Sequence, residues 1–146
     1  MLQHILGWAL VVLGGGLYIA QVISSVNFTL AQRLGIQEKP ETSDLLLQRA
    51  ERYTACWDLV TLIWLPLAGV LMILNHPWWP VVTLTGSVIY FDAAGREAAK
   101  TLSFRHQGIN TGTPREQKVY FASYIIMAIM ALVLIAYSLP ELLKLN

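Results

Sequence analysis

AAGREAAKTLSFRHQGINTGTPREQKV, residues 93–119, is a polar and basic segment between two long apolar runs, and it decides the fold. It carries five of the ten Lys and Arg residues of the chain. Residues 27–52 carry four more, whereas the short connection Asn75–Pro77 carries none. Helical membrane proteins concentrate Lys and Arg in their cytoplasmic loops. The pattern therefore predicts two basic cytoplasmic loops, with both termini and the 75–77 turn on the outer side.

Composition places the chain in a lipid bilayer. Of its 146 residues, 55% are hydrophobic and only 13% are charged, whereas soluble domains carry about 25% charged residues. A soluble fold of this length cannot bury so much apolar surface, so we expect the lipid bilayer to be its main partner. The net charge of +1 argues against nucleic acid as a partner.

The apolar runs predict an all-α fold, a four-transmembrane-helix bundle that uses residues 1–146 as a single domain. The first run lacks a basic leader and is longer than a signal-peptide core, which favours a retained helix. Ser43 is the predicted N-cap of helix two, Pro66 predicts a kink within it, and Pro140 is expected to end helix four. Thr113 and Glu116 have the spacing of a capping box. The predicted helices are residues 2–26, 43–74, 79–105 and 113–139.

Glycines are concentrated in helix one, at Gly7, Gly14, Gly15 and Gly16. In lipid such residues allow a neighbouring backbone to approach closely, and Gly16 with Ala20 forms a small-xxx-small pair. A close helix crossing is the main interpretation, and a ligand against bare backbone is the alternative. The same pattern is compatible with a homo-oligomer or with a subunit of a membrane complex.

Polar groups from every helix are expected at one depth. From a helical rise of about 1.5 Å per residue, Asp58, Asp92 and Arg96 lie roughly 24, 20 and 26 Å from the outer boundary. These depths fall in the inner part of a core about 30 Å thick, where ionisable residues face partners in the bundle interior. The layer is either a set of structural ion pairs or a ligand pocket. The predicted ligand-binding residues are Asp58, Asp92, Arg96, Glu97, Arg49, Arg52, Arg115 and Tyr120.

Other chemistry has weaker support. A single cysteine, Cys56, excludes an intrachain disulfide and a thiolate metal cage, and no metal site is predicted. His4 and His76 are the only pair near the outer face that suggests haem, and they lack any further haem signature. No hydrolase or phosphate-loop motif is present. No catalytic residue is therefore identified.

The layout resembles the membrane-associated proteins of eicosanoid and glutathione metabolism (MAPEG). The resemblance rests on Arg49-Ala50-Glu51-Arg52 in helix two, Gly95-Arg96 in helix three, and Arg115 with Tyr120 in helix four. It implies a glutathione site between the protomers of a trimer. The asparagine and glutamate that the family carries on helix two would fall near Tyr53 and Cys56, where this chain departs from the pattern.

Two short segments are similar to a broad group of bacterial four-helix membrane proteins. They are Gln3-His4-Ile5-Leu6-Gly7 and the run Pro66-Leu67-Ala68-Gly69-Val70-Leu71-Met72. Haem-associated protoporphyrinogen oxidases and copper-resistance membrane proteins share this general plan. The similarity implies a bacterial inner-membrane location.

Three functional hypotheses remain open at this point. The leading one is a small membrane protein that binds a small or amphipathic ligand, or a partner subunit, at the polar layer near the cytoplasmic face. The second is a glutathione-dependent transferase or isomerase, in which arginine forks grip the carboxylates of glutathione. The third is a proton-coupled transporter or redox subunit with Asp58 and Asp92 as proton carriers. Whether the protein is an enzyme is left open.

Overall fold

A computed structural model describes residues 1–144, and it is helical throughout. No strand forms within these residues, which confirms the all-α prediction. Three of the helices, α1, α3 and α5, are long and apolar enough to cross a membrane. The helices are α1 (Leu2–Val26), α2 (Phe28–Arg33), α3 (Leu45–Ile73), α4 (Trp79–His106) and α5 (Pro114–Leu143).

Helix α1 crosses α3 with very little space between the two backbones. A Cβ atom placed on Gly69 would lie 2.6 Å from the carbonyl oxygen of Gly7, so neither position can carry a side chain without displacing the other helix. The predicted close crossing is confirmed at Gly7. Gly16 takes no part in it, because a Cβ there would meet nothing within 4 Å. A π-helical turn at Leu10–Gly14, which the sequence did not predict, interrupts α1 between these two glycines.

Helix α3 is broken near its middle, as Pro66 predicts. Its first part ends at Thr61 and its second part begins at Trp64. Proline has no N–H to donate to the Leu62 carbonyl, which instead accepts a 3.4 Å hydrogen bond from the backbone N–H of Leu65. The regular hydrogen bonding of the helix is therefore interrupted at this point.

The N-cap of α3 is one residue later than predicted. The carboxylate of Asp44 accepts the backbone N–H of Leu46 at 2.8 Å, whereas the hydroxyl of Ser43 donates to the Lys39 carbonyl at 3.0 Å. Both residue types make good caps. Ser43 is used differently because its backbone pairs with Thr111 in an isolated antiparallel bridge.

Helix α5 begins as predicted and ends later than predicted. The capping box is confirmed: Thr113 N–H donates to Glu116 at 2.7 Å, and Glu116 N–H donates to the Thr113 hydroxyl at 3.3 Å. The expected end at Pro140 is wrong, because the helix continues through it to Leu143. The proline removes only the one backbone hydrogen bond to the Ala136 carbonyl, and its neighbours keep the last turn.

The helices pack in chain order, with α1 on α3, the second part of α3 on α4, and α4 on α5. The apolar core lies towards the 75–77 turn, where Leu65, Ala68 and Met72 are buried. There Trp79 stacks on Tyr137 with ring centroids 5.6 Å apart. The first part of α3 packs mainly against α1 instead of α4, so the bundle opens towards its other end.

A small polar assembly, here called the clasp, joins the two basic segments at that other end. It contains the Ser43–Thr111 bridge and a 3.0 Å hydrogen bond from Asp44 N–H to the Asn110 carbonyl. The Gln117 side chain donates to the Thr111 hydroxyl at 3.1 Å. Both basic segments therefore meet at one end of the bundle, which we call the basic end. The end with Asn75–Pro77 is called the turn end.

Candidate functional site

A cavity of about 220 Å³ lies inside the bundle near the basic end, and we call it the central cavity. Helices α1, α3, α4 and α5 and the segment 36–38 after α2 all contribute to its wall. The first part of α3 packs on α1 and barely touches α4, which leaves room for the cavity. Its polar lining consists of Gln21, Gln37, Glu38, Glu51, Thr54, Asp58, Tyr90, Arg96, Glu97, Tyr120, Ser123 and Tyr124.

Lys100 holds two of the lining carboxylates together. Its Nζ atom lies 2.8 Å from Glu51 Oε1 and 2.5 Å from Glu97 Oε2. All three side chains are about 16% exposed or less, so little water reaches the cluster. The Thr54 hydroxyl accepts a further, longer hydrogen bond from Lys100 at 3.4 Å. The cluster joins α3 to α4 where the two helices have few apolar contacts.

Arg96 faces two acids, at longer distances. Its Nη2 lies 4.0 Å from Asp58 Oδ1 and its Nε lies 3.9 Å from Asp92 Oδ2. The Asp58 side chain is only 8% exposed and accepts a 3.3 Å hydrogen bond from the Thr61 hydroxyl. Asp92 is 73% exposed and lies outside the cavity. Arg96 therefore connects an interior carboxylate to an exterior one.

Two acceptor oxygens in the cavity wall have no partner. Gln21 Oε1 and Glu38 Oε2 are completely buried, and no group within residues 1–144 donates a hydrogen bond to either atom. The Tyr120 hydroxyl is close enough to Glu38 to interact with its carboxylate, yet Oε2 stays unpaired. Leaving a buried acceptor unsatisfied costs about 1–3 kcal/mol.

A second cavity of about 270 Å³ adjoins the first on its basic side, and we call it the vestibule. The two cavities share Ile36, Gln37, Glu38 and Tyr120 as a common wall. Arg115 lines only the vestibule. One short loop and one tyrosine therefore lie between the two cavities.

The predicted ligand-binding residues occupy four different places in the structure. Asp58, Arg96, Glu97 and Tyr120 line the central cavity, and Arg115 lines the vestibule. Asp92 lies outside but contacts Arg96. Arg49 and Arg52 line a separate surface cavity with Tyr53 and Cys56. That these residues bind a ligand stays a prediction.

Helical periodicity explains the division within α3. Glu51, Thr54 and Asp58 recur at intervals of three and four and share the face that lines the cavity. Arg49, Arg52 and Cys56 follow the same spacing on another face. Glu51 was not among the predicted binding residues, although its position seven residues before Asp58 was a sufficient signal. Glu38 carried no such signal, because the path of a loop brings it into the wall.

The candidate haem ligands, His4 and His76, are distant from the central cavity, and no metal cluster is found among the described residues. Within residues 1–144 no three His, Cys, Asp or Glu side chains are arranged to hold a metal ion. His4 and His76 are at the turn end, where His4 Nε2 lies 3.3 Å from the Asn75 amide and His76 Nδ1 accepts the Trp78 N–H at 3.3 Å. Both rings thus interact with groups of their own chain.

Comparison of this chain with protein-family models, with curated proteins and with solved structures found no match to any of them.

Proposed function

We propose that this chain is an integral membrane protein of four spanning helices, with both termini outside and the basic end in the cytoplasm of a bacterium. Three apolar helices of sufficient length support the membrane location. Helix α4 packs between α3 and α5, both candidate spans, and its 28 residues extend roughly 42 Å. Four crossings also place both basic segments on one side, as the clasp requires and as positive charge in cytoplasmic loops favours.

Cysteine labelling in inner-membrane vesicles tests this topology. In a Cys56→Ala background, a single cysteine replaces either Gln107 at the basic end or His76 at the turn end, both of which are exposed. A membrane-impermeant maleimide should label His76→Cys in right-side-out vesicles and Gln107→Cys in inverted ones. Labelling of both variants from the same side would contradict four crossings.

We further propose that the protein binds a small polar ligand in the central cavity. The observation that carries this proposal is an interior cavity with a polar lining, which includes Gln21 and Glu38, each with an acceptor oxygen that lacks a partner within the described residues. Every spanning helix contributes to the wall, and the vestibule adjoins the cavity on its basic side. The role is binding, without an assigned reaction.

The glutathione-transferase hypothesis has less support in the geometry. Its four arginines occupy three different places: Arg96 in the central cavity, Arg115 in the vestibule, and Arg49 with Arg52 in the surface cavity. One chain therefore does not present them to one ligand. The volume of about 220 Å³ is also smaller than the roughly 300–1,000 Å³ of pockets for drug-sized ligands.

The close packing at the turn end favours the binding hypothesis over the transporter hypothesis. A substrate that crosses the membrane must leave through the half where Gly7 and Gly69 bring two backbones together and Trp79 stacks on Tyr137. This packing closes the route beyond the cavity. Proton flux in liposomes that is abolished by Asp58→Asn would favour transport over binding.

We also propose that a partner chain packs against α4 beside Asp92. The Asp92 side chain is 73% exposed on α4 at a depth where lipid is a poor solvent for a carboxylate. A second copy of the chain, or another subunit, would cover it. The adjoining α4–α5 groove contains the small residues Ala94, Gly95 and Ala98, which allow close helix approach.

Native mass spectrometry of the protein in mild detergent tests both ligand and assembly. Wild type should retain a small adduct, and Ala93→Leu, which fills the cavity wall, should lose it. The matched control is Ala122→Leu, at an exposed alanine of α5 outside every cavity described above. An adduct that survives in Ala93→Leu would argue against the central cavity as the site. The same spectra report the number of chains.

A further inference from the structure

We infer that the ligand of the central cavity is a small organic cation with N–H donors, a primary or secondary ammonium. This inference rests on the proposed function and narrows it to a chemical class. It follows from three properties of the cavity wall: the balance of charge, the unpaired acceptors and the aromatic lining.

The charge of the wall is unbalanced towards the acids. Its carboxylates belong to Glu38, Glu51, Asp58 and Glu97, while Arg96 is the one cation that residues 1–144 contribute to the lining. Lys100 contacts two of these acids from outside the lining. Four carboxylates therefore face two basic side chains in a region with little solvent. Buried charge without a counterion is costly, and a bound cation supplies the missing charge.

The hydrogen-bonding groups of the wall require a donor. Gln21 Oε1, on α1, and Glu38 Oε2, on the loop after α2, are buried acceptors without partners within residues 1–144. The Asp58 side chain, more than nine-tenths buried, adds carboxylate oxygens. An ammonium has several N–H donors and no acceptor. A metal ion would require a cluster of ligands that residues 1–144 do not form.

Aromatic rings complete the lining. Tyr90, Tyr120 and Tyr124 belong to the wall, on α4 and α5. A cation within about 6 Å of an aromatic ring centre is attracted to its face. The volume of about 220 Å³ corresponds to several water molecules, so the ligand is small, on the scale of a short alkyl diamine.

The experiment measures binding of defined probes to the detergent-purified full chain by thermal shift and calorimetry at constant ionic strength. The probes are 1,4-diaminobutane, which has N–H donors, choline, which has none on its nitrogen, and MgCl2. The diamine should raise the melting temperature and bind at least about tenfold more tightly than choline, since charge-assisted hydrogen bonds contribute about 1.5–3 kcal/mol.

Two variants test whether the diamine binds in the central cavity. Glu38→Gln removes one carboxylate from the wall and should weaken diamine binding about tenfold. Glu41→Gln is the matched control, three residues along the same segment but exposed and outside both cavities, and should bind as wild type does. Both positions are in a loop, so folding should survive.

Each outcome separates the two proposals. Equal binding of choline and diamine, or unchanged binding in Glu38→Gln, overturns the inference about N–H donors. If no cation binds, but an adduct is lost in Ala93→Leu, the cavity binds a ligand of another class and only this inference fails. If no probe binds and no adduct is retained, both the inference and the proposed binding function fail.

Discussion

The helices are held together by different interactions at the two ends of the bundle. At the turn end, Gly7 and Gly69 bring two backbones into contact, and Met72 and Ala68 are completely buried. At the basic end, α3 and α4 are held apart, and Lys100 bridges the gap between Glu51 and Glu97. The turn end depends on shape, whereas the basic end depends on charge.

This difference separates stability from function within one small chain. Dense apolar packing leaves no room for a ligand. A polar network that surrounds a cavity and contains unpaired acceptors favours the binding of a ligand with hydrogen-bond donors. The break at Leu62–Ile63 in α3 is the boundary between the apolar packing of the turn end and the polar network of the basic end.

Removing Lys100 should have the largest effect. Lys100→Ala leaves Glu51 and Glu97 close together and nearly buried without their shared cation, and removal of one partner from a buried ion pair costs about 3–5 kcal/mol. We expect a large fall in melting temperature in detergent, measured without added ligand. Replacing the whole cluster, with Lys100→Met, Glu51→Gln and Glu97→Gln together, should recover much of the loss. A wild-type melting temperature for Lys100→Ala would show that charge does not hold the basic end.

Adding one methyl group at the helix crossing should have an intermediate effect. In Gly69→Ala the new Cβ lies 2.6 Å from the Gly7 carbonyl oxygen, so the helices must separate. Overpacking of this kind costs about 1–3 kcal/mol, to be measured by thermal unfolding. Gly16→Ala is the control, because its Cβ meets nothing within 4 Å. Equal effects of the two variants would remove the distinction between a tight and an open half.

Loss of the α5 capping box should have the smallest effect. Thr113→Ala removes the hydroxyl that accepts the Glu116 N–H and should cost about 1 kcal/mol. Thermal unfolding again gives the measurement, and ligand binding should be unaffected because Thr113 lines neither cavity. Weaker ligand binding in this variant would mean that the start of α5 controls the vestibule.

The sequence predicted those features that depend on neighbouring residues. The capping box at Thr113 and the kink near Pro66 depend on residues within one helical turn, and both are confirmed. The N-cap at Ser43 was displaced by one residue because a distant residue, Thr111, pairs with it. The helix end at Pro140 was wrong because one missing hydrogen bond does not outweigh the rest of the turn.

The candidate site was predictable to the extent that it follows helical faces. Asp58 and Arg96 were selected from their estimated depth, and the structure places both in one wall. Arg49 and Arg52 were expected to bind the same ligand, but they occupy a different face of α3 from Asp58. Glu38 reaches the wall through a loop whose path depends on tertiary contacts, and no local pattern encodes such a path.

The clasp fixes the two basic segments relative to each other, so a movement of one segment should move the other. Ser43 and Thr111 are far apart along the chain, yet they hold the starts of α3 and α5 in a fixed relation through backbone pairing. A peptide bond cut between Gly108 and Asn110 would leave the fragment that contains α5 attached by the clasp and by its packing on α4. The protein should therefore assemble from two separately synthesised pieces, and lengthening either segment should shift the other.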